Sequence, residues 1–281
     1  MARPVILVTG ASGLLGPYLM DAASAVGQAV SLARGHADHR CDLCDADAVR
    51  RVIDAVRPDI VLHAAAMTDV DQCERNPGDA DRANHMATAN LADALAPDTF
   101  LVAYSTIAVY PDSPGPHVEG GEAPVNVYGT TKLAGEHAAL RHERSVVLRT
   151  MLFGPSQVAQ RMSFSDTIIK NLREGRPITL FSDVLFSPLH LQTLATITMK
   201  TVSAGLTGVY NVATRDGMSK AEFGFAIAAK FNLATDGITV DLSTSMPDRA
   251  PRATDTRLDA GQLEKALGCR MPTIAEEIAR L

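Results

Sequence analysis

The strongest constraint on this chain is a buried apolar strand running straight into a three-glycine turn: Val5-Ile6-Leu7-Val8-Thr9-Gly10-Ala11-Ser12-Gly13-Leu14-Leu15-Gly16. Each glycine answers a separate need. Gly10 permits the tight turn, Gly13 lets the backbone approach an anion, and Gly16 lets the following helix pack on the strand with its first amides facing the same spot. A dinucleotide pyrophosphate fits such a junction, with Ser12 and Leu14 in the turn that wraps it. The alternative is an ordinary glycine-rich loop, and the placement between strand and helix argues against it.

Further along, apolar runs at Val30–Ala33, Ile60–His63, Phe100–Tyr104 and Val146–Leu148 alternate with stretches of helical periodicity. Near-continuous apolar strands joined by helices predict a parallel sheet buried on both faces, hence a doubly wound, Rossmann-type α/β fold. After Gly154-Pro155 the pattern loosens into a helix near Ser165–Glu174, a strand at Val209–Val212, a helix near Lys220–Phe231 and two short C-terminal helices. The expected division is a dinucleotide-binding domain over 1–155, to which a segment around 180–205 returns, and a smaller C-terminal substrate-binding lobe over 156–281.

Composition narrows the function. With 281 residues, 46% hydrophobic and 21% charged, the chain can bury one large core with an appended lobe. A net charge of −6 argues against general nucleic-acid or membrane-surface binding, while a local arginine cluster could still meet an anionic ligand. No apolar run reaches the roughly 18 residues of a membrane span, and the first one stops at Thr9-Gly10, too early for a signal peptide, so a cytoplasmic protein is expected. Cys41 and Cys44 form a C-x-x-C pair, but neither Cys73 nor Cys269 supplies a second ligand pair. Reduced thiols and no metal are therefore expected.

Arg34 follows the second strand, where a site selecting NAD usually places an acidic residue for the ribose 2′-hydroxyl. Arginine favours a 2′-phosphate, so NADPH is the expected cofactor, with NADH still admissible. A solvated loop arginine near Asp38 and Asp42 is the competing reading. Asp42 and Leu43 are placed to flank an adenine, and Ala64, Ala65 and Ala66 offer small side chains beside a cofactor, although tight packing alone also explains alanine there.

The chemistry is expected from Tyr128-Gly129-Thr130-Thr131-Lys132, preceded by Ser105-Thr106 at a strand end. A spacing of four puts Tyr128 and Lys132 on one helical face. An ammonium beside a phenol, whose free pKa is near 10, is expected to lower that value and make a proton donor suited to neutral pH. A surface helix pair is the plain alternative, as are a backbone-satisfying hydroxyl for Thr106 and a turn residue for Asn126.

Together Thr9–Gly16, Thr106, Tyr128 and Lys132 resemble the extended short-chain dehydrogenase/reductase family. Ala123-Pro124-Val125-Asn126-Val127-Tyr128-Gly129-Thr130-Thr131-Lys132-Leu133-Ala134-Gly135-Glu136 is similar to the signature of its dTDP-4-dehydrorhamnose reductase group, as are Arg149-Thr150 and Arg252-Ala253-Thr254-Asp255-Thr256-Arg257-Leu258. The resemblance implies an NAD(P)-dependent oxidoreductase that reduces a nucleotide-linked 4-keto-6-deoxy sugar. It places Thr106 and Tyr128 around the substrate carbonyl, Lys132 on the nicotinamide ribose, and the nucleotide sugar in the C-terminal lobe. Asn126 is expected to shape the sugar pocket. Arg252 is expected to lead in binding the diphosphate, with Arg249 or Arg257 helping, on a loop interrupted by Pro247 and Pro251. A solvated charge run paired with Asp248, Asp255 and Asp259 is the alternative for that segment. Ile107 stands where the rhamnose group usually has aspartate, Ala253 where it has proline, and Arg149–Gly154 is one residue short and lacks a tryptophan. An NAD-dependent epimerase or dehydratase, or a non-catalytic NADP-binding subunit such as the β subunit of methionine adenosyltransferase, shares the motifs. A homodimer is left open.

Overall fold

The computed structural model describes residues 3–246 and 249–281. The chain begins β1 (Val5–Thr9), α1 (Gly16–Val26), β2 (Gln28–Ala33), β3 (His39–Arg40), α2 (Ala46–Val56) and β4 (Ile60–His63). It continues through α3 (Val70–Arg75), α4 (Pro77–Asp81), a π-helical turn at Arg82–Met86, α5 (Ala87–Ala94), β5 (Phe100–Thr106), α6 (Val127–Ala139) and β6 (Ser145–Thr150). Then come β7 (Leu152–Phe153), α7 (Phe164–Arg173), β8 (Ile178–Phe181), β9 (Leu185–Phe186), β10 (Leu189–His190), α8 (Leu191–Ser203) and β11 (Gly208–Val212). The chain closes with β12 (Met218–Ser219), α9 (Lys220–Lys230), β13 (Ile238–Asp241), β14 (Asp255–Thr256), α10 (Gly261–Leu267) and α11 (Ile274–Ile278).

Seven strands form one wholly parallel sheet in the order β11-β6-β5-β4-β1-β2-β3. Strand order reverses beside β1, and a crevice opens there beyond the carboxyl ends of β1 and β4, where ligands of such sheets bind. The apolar runs read as strands are buried on both faces as expected. One face carries α1, α8 and α10 on a core including Ile6, Leu19, Leu148, Leu191 and Leu263. The other carries α2, α5 and α6 over Leu7, Val61, Leu101 and Val147.

The smaller lobe has its own core around Phe153, Ile168, Phe186, Phe223 and Ile274, with edge-to-face rings at Phe153–Phe223 and Phe186–Phe223. Its strands are short: β13 pairs with β8, and β9 lies between β12 and β14. The strand expected at Val209–Val212 is not part of this lobe. As β11 it pairs in parallel with β6, because the chain leaves the large sheet at β6, builds the lobe core from α7, and returns through α8 by a helical crossover. Segments β8 and β9 remain in the small lobe, so the return to the large sheet begins at β10 and α8.

Among the described residues no helix is long and apolar enough to cross a membrane. All four cysteines are unpaired, and among the described residues no group of three or more histidine, cysteine or carboxylate side chains converges as a metal site would require.

Candidate active site

A cleft of about 1290 Å³ runs along the carboxyl ends of the central strands and continues against the small lobe. Its lining includes Gly10, Ser12, Gly13, Leu14, Arg34, Asp42, Leu43, Ala64, Ala65, Ala66, Thr106, Asn126, Tyr128, Lys132 and Arg252. Of the residues expected at a cofactor, only Gly16 is off the wall; it lies behind the turn, packed against the Ala11 carbonyl.

The turn after β1 is shaped by backbone contacts. Gly10 adopts φ +69°, and a Cβ on it would lie 2.7 Å from the Ala65 nitrogen, so only glycine lets the turn sit against the segment after β4. Its N–H donates to the Leu32 carbonyl (3.1 Å), and the Gly13 N–H donates to the Gly10 carbonyl (2.8 Å). Beneath them His63 is buried and hydrogen-bonded to the hydroxyls of Thr9 (2.8 Å) and Thr88 (3.0 Å). Burial, reinforced by the Lys132 charge, depresses this imidazole to about 3, so it is neutral at physiological pH and acts as a strut between β1, β4 and α5. Sequence reasoning did not single out His63.

At the far end of the turn Arg34 is exposed. Asp38 accepts the N–H (2.9 Å) and hydroxyl (2.7 Å) of Ser31, and Asp42 accepts the Cys44 N–H (3.0 Å); neither pairs with Arg34. Arg82, from the π-helical turn, lines the same end and is paired with Asp79.

The reacting end is built by β5 and α6. Thr106 closes β5 and caps the turn that follows, its Oγ1 accepting the Ala108 N–H (3.1 Å). Its hydroxyl lies beside Tyr128, where it opposes the upward push of burial on the phenol. Close contact between helix and turn depends on Gly129, whose Cβ, if present, would fall 2.0 Å from the Ala108 carbonyl oxygen. Asn126 caps α6 by accepting the Gly129 N–H (2.8 Å), and its Nδ2 donates to the Pro251 carbonyl (2.8 Å). Both ends of the Asn126 amide are thus used in holding the wall together, which is nearer the turn-residue alternative than a sugar contact.

Burial dominates the phenol: Tyr128 is pushed up to about 12, with Thr106 opposing. This corrects the expectation that Lys132 lowers it. The Lys132 ammonium instead donates to the Tyr104 carbonyl (2.7 Å), and burial brings it down to about 8 against the attraction of Glu136. One turn along α6, Glu136 is buried with Arg149: Nε lies 3.0 and 3.1 Å from its two oxygens and Nη2 2.5 Å from one. Glu136 also accepts the Ser105 hydroxyl, and Arg149 also meets Glu122 and the Tyr110 hydroxyl (2.9 Å).

The small lobe faces this chemistry with cations. Arg252 makes a two-pronged pair with Asp71 of α3, Nη1–Oδ1 3.0 Å and Nη2–Oδ2 2.8 Å, and Asp71 also accepts the Ala250 N–H (2.8 Å). The guanidinium holds the Asp71 carboxyl down at about 2. Arg257 pairs with Asp255 and is off the cleft wall, so it is removed from the expected helpers. Arg249 and Lys220 do line the cleft, and sequence reasoning missed Lys220. Pro247 and Asp248 lie outside the described residues. Ile107, Ala108, Met151, Leu152 and Ala253 give the wall between the lobes an apolar character.

Residues 4–281 match the RmlD substrate binding domain. The chain belongs to that family. It is 30% identical to a probable low-salt glycan biosynthesis reductase of Haloferax volcanii, across 98% of this chain and 96% of that one. It is also 30% identical to methionine adenosyltransferase 2 subunit beta of Pongo abelii, across 95% and 84%. A crystal structure of dTDP-4-dehydrorhamnose reductase from Bacillus anthracis in complex with NADP superposes with a TM-score of 0.91 at 25% identity, covering 99% of this chain and 98% of that one. The family and the doubly wound fold are those expected from the motifs, and RmlD family membership extends the likeness through the small lobe.

Proposed function

We propose that this RmlD family member is an NADPH-dependent reductase of a nucleotide-linked 4-keto-6-deoxy sugar. The observation that carries the reading is the meeting of the Thr106 hydroxyl and the Tyr128 phenol on one cleft wall, with the Lys132 ammonium on the same helix behind them. The Gly10 turn, where a Cβ would collide with Ala65, leaves a backbone cradle of the kind that receives a pyrophosphate, and the nicotinamide dinucleotide supplies the hydride when bound. Gly13 and Ser12 would hold its phosphates, Ala64–Ala66 its flank, and Lys132 its nicotinamide ribose. Thr106 orients the ketone oxygen, and Tyr128 gives that oxygen a proton as negative charge develops on it. A phenol kept protonated by burial is in the right state to donate.

Oxidation of NADPH by the purified protein, assayed with a panel of nucleotide-linked keto sugars, tests the reading. Absence of turnover with every member, alongside intact NADPH binding, would favour the second reading: a non-catalytic subunit, to which the methionine adenosyltransferase relative points. The same proposal has the protein working in the cytoplasm on a small molecule.

Arg34 supplies a further test. Its guanidinium has no carboxylate partner among the described residues, and a charge-assisted pair with a 2′-phosphate explains a preference for NADPH. Arg34→Ala is expected to reduce the NADPH-over-NADH preference by about tenfold, read from fluorescence titration of both cofactors. An unchanged ratio places selectivity elsewhere.

A further inference from the structure

Two cations on the small-lobe wall are stabilised by ring faces. The Lys220 ammonium lies 5.7 Å from the centroid of Phe164, and the Arg249 guanidinium carbon 5.6 Å from that of Phe181. A ring face attracts a cation without consuming its N–H donors. The surrounding carboxylates are committed elsewhere. Asp71 is held by Arg252, Asp183 by the N–H and hydroxyl of Ser243, Glu222 by the Ser219 N–H, and Asp166 by the N–H groups of Ser156 and Ser163. Among the described residues neither Lys220 nor Arg249 has a carboxylate partner. With Arg252 they put three cations on one half-buried wall, of which only Arg252 is ion-paired, so that an anion entering the cleft would find two cations with free donors.

We propose that Lys220 and Arg249 together receive the diphosphate of the substrate, while Arg252 is held back by Asp71 as the frame of the site. The proposal rests on the nucleotide-sugar reading above and reverses the rank expected from the sequence, in which Arg252 leads. Arg249 offers a flat fork of donors and Lys220 a point charge, so that two phosphates meet two cations of different shape.

Burial and repulsion from Arg249 and Arg252 bring the Lys220 ammonium down to about 8. The charged form, which binds the anion, is complete below that pH and is lost as pH rises through it. The charged groups around Lys220 are Arg249, Arg252, Asp71, Asp183, Glu222 and Asp166, and hydrogen bonds hold the carboxyls of Asp71 and Glu222 below the usual carboxylate range. Affinity for a diphosphate is therefore expected to fall as pH rises through about 8.

Calorimetric titration of thymidine diphosphate and inorganic pyrophosphate into wild type, Lys220→Met and Lys220→Arg tests this, with NADPH binding measured on each protein to show that it is folded. Lys220→Met is expected to weaken both ligands roughly tenfold to a hundredfold, and Lys220→Arg to keep most of the affinity while losing its decline at alkaline pH. Unchanged affinity in Lys220→Met with intact NADPH binding overturns the proposal, as does an alkaline decline that persists in Lys220→Arg. Failure of the reductase reading looks different: wild type binds thymidine diphosphate through Lys220, yet no keto sugar oxidises NADPH.

Discussion

Replacing Tyr128 by phenylalanine is expected to lower turnover by roughly 10²-fold or more while leaving KM and NADPH affinity nearly unchanged, the pattern of losing a general acid that acts in the transition state. The ring keeps its volume, and Thr106 keeps its bond to Ala108, so the wall survives the change. Burial holds the phenol near 12, with the Thr106 hydroxyl opposing it. Steady-state NADPH oxidation with an accepted keto sugar measures the effect. Near-normal turnover would remove Tyr128 from the chemistry.

Arg149→Met is expected to cost about 3–5 kcal/mol of unfolding free energy, because it leaves a buried carboxylate without its cation. Arg149 and Glu136 have side chains only 3% and 2% exposed, and after the change the Ser105 hydroxyl is the hydrogen-bond partner left to Glu136. The Tyr110 ring, 5.2 Å from the guanidinium carbon, loses its charged neighbour as well. Urea unfolding of wild type and variant gives the difference. Replacing Glu136 by leucine in the same variant should recover part of the loss, since an apolar pair carries no stranded charge. A single variant within about 1 kcal/mol of wild type would mean the pair is not structural.

What could be read from the sequence was local. The glycine turn, the four apolar strands and the four-residue interval between Tyr128 and Lys132 are set by neighbours along the chain, and the structure has strands and helix at those places. Contacts between distant segments left no such pattern. Lys220 follows a capping serine at the head of an ordinary helix, and nothing near it in sequence announces Phe164 as its seat. Asp71 reads as a helix-favouring acid in the first turn of α3 until Arg252 is folded onto it. The direction of the Tyr128 shift is hidden for the same reason: the pull of Lys132 follows from spacing, whereas burial and the competing Tyr104 carbonyl belong to the packed molecule. Strand β11 joins β6 in the large sheet and not the small lobe expected for it, because hydrophobic pattern identifies a strand and is silent about which sheet receives it.

The bridge from α3 to the segment at 250–252 also has a consequence for how the molecule assembles. Asp71 and Arg252 are 181 residues apart, and Asn126 reaches across 125 residues to Pro251. Closing such long loops is slow, because chain entropy is lost before the contact returns anything. The parallel strands up to β6 can register while the last quarter of the polypeptide is still being synthesised, but the wall opposite Tyr128 cannot. During synthesis the nucleotide turn is in place early and the substrate side is shut last, so the cleft spends its youth as an open groove.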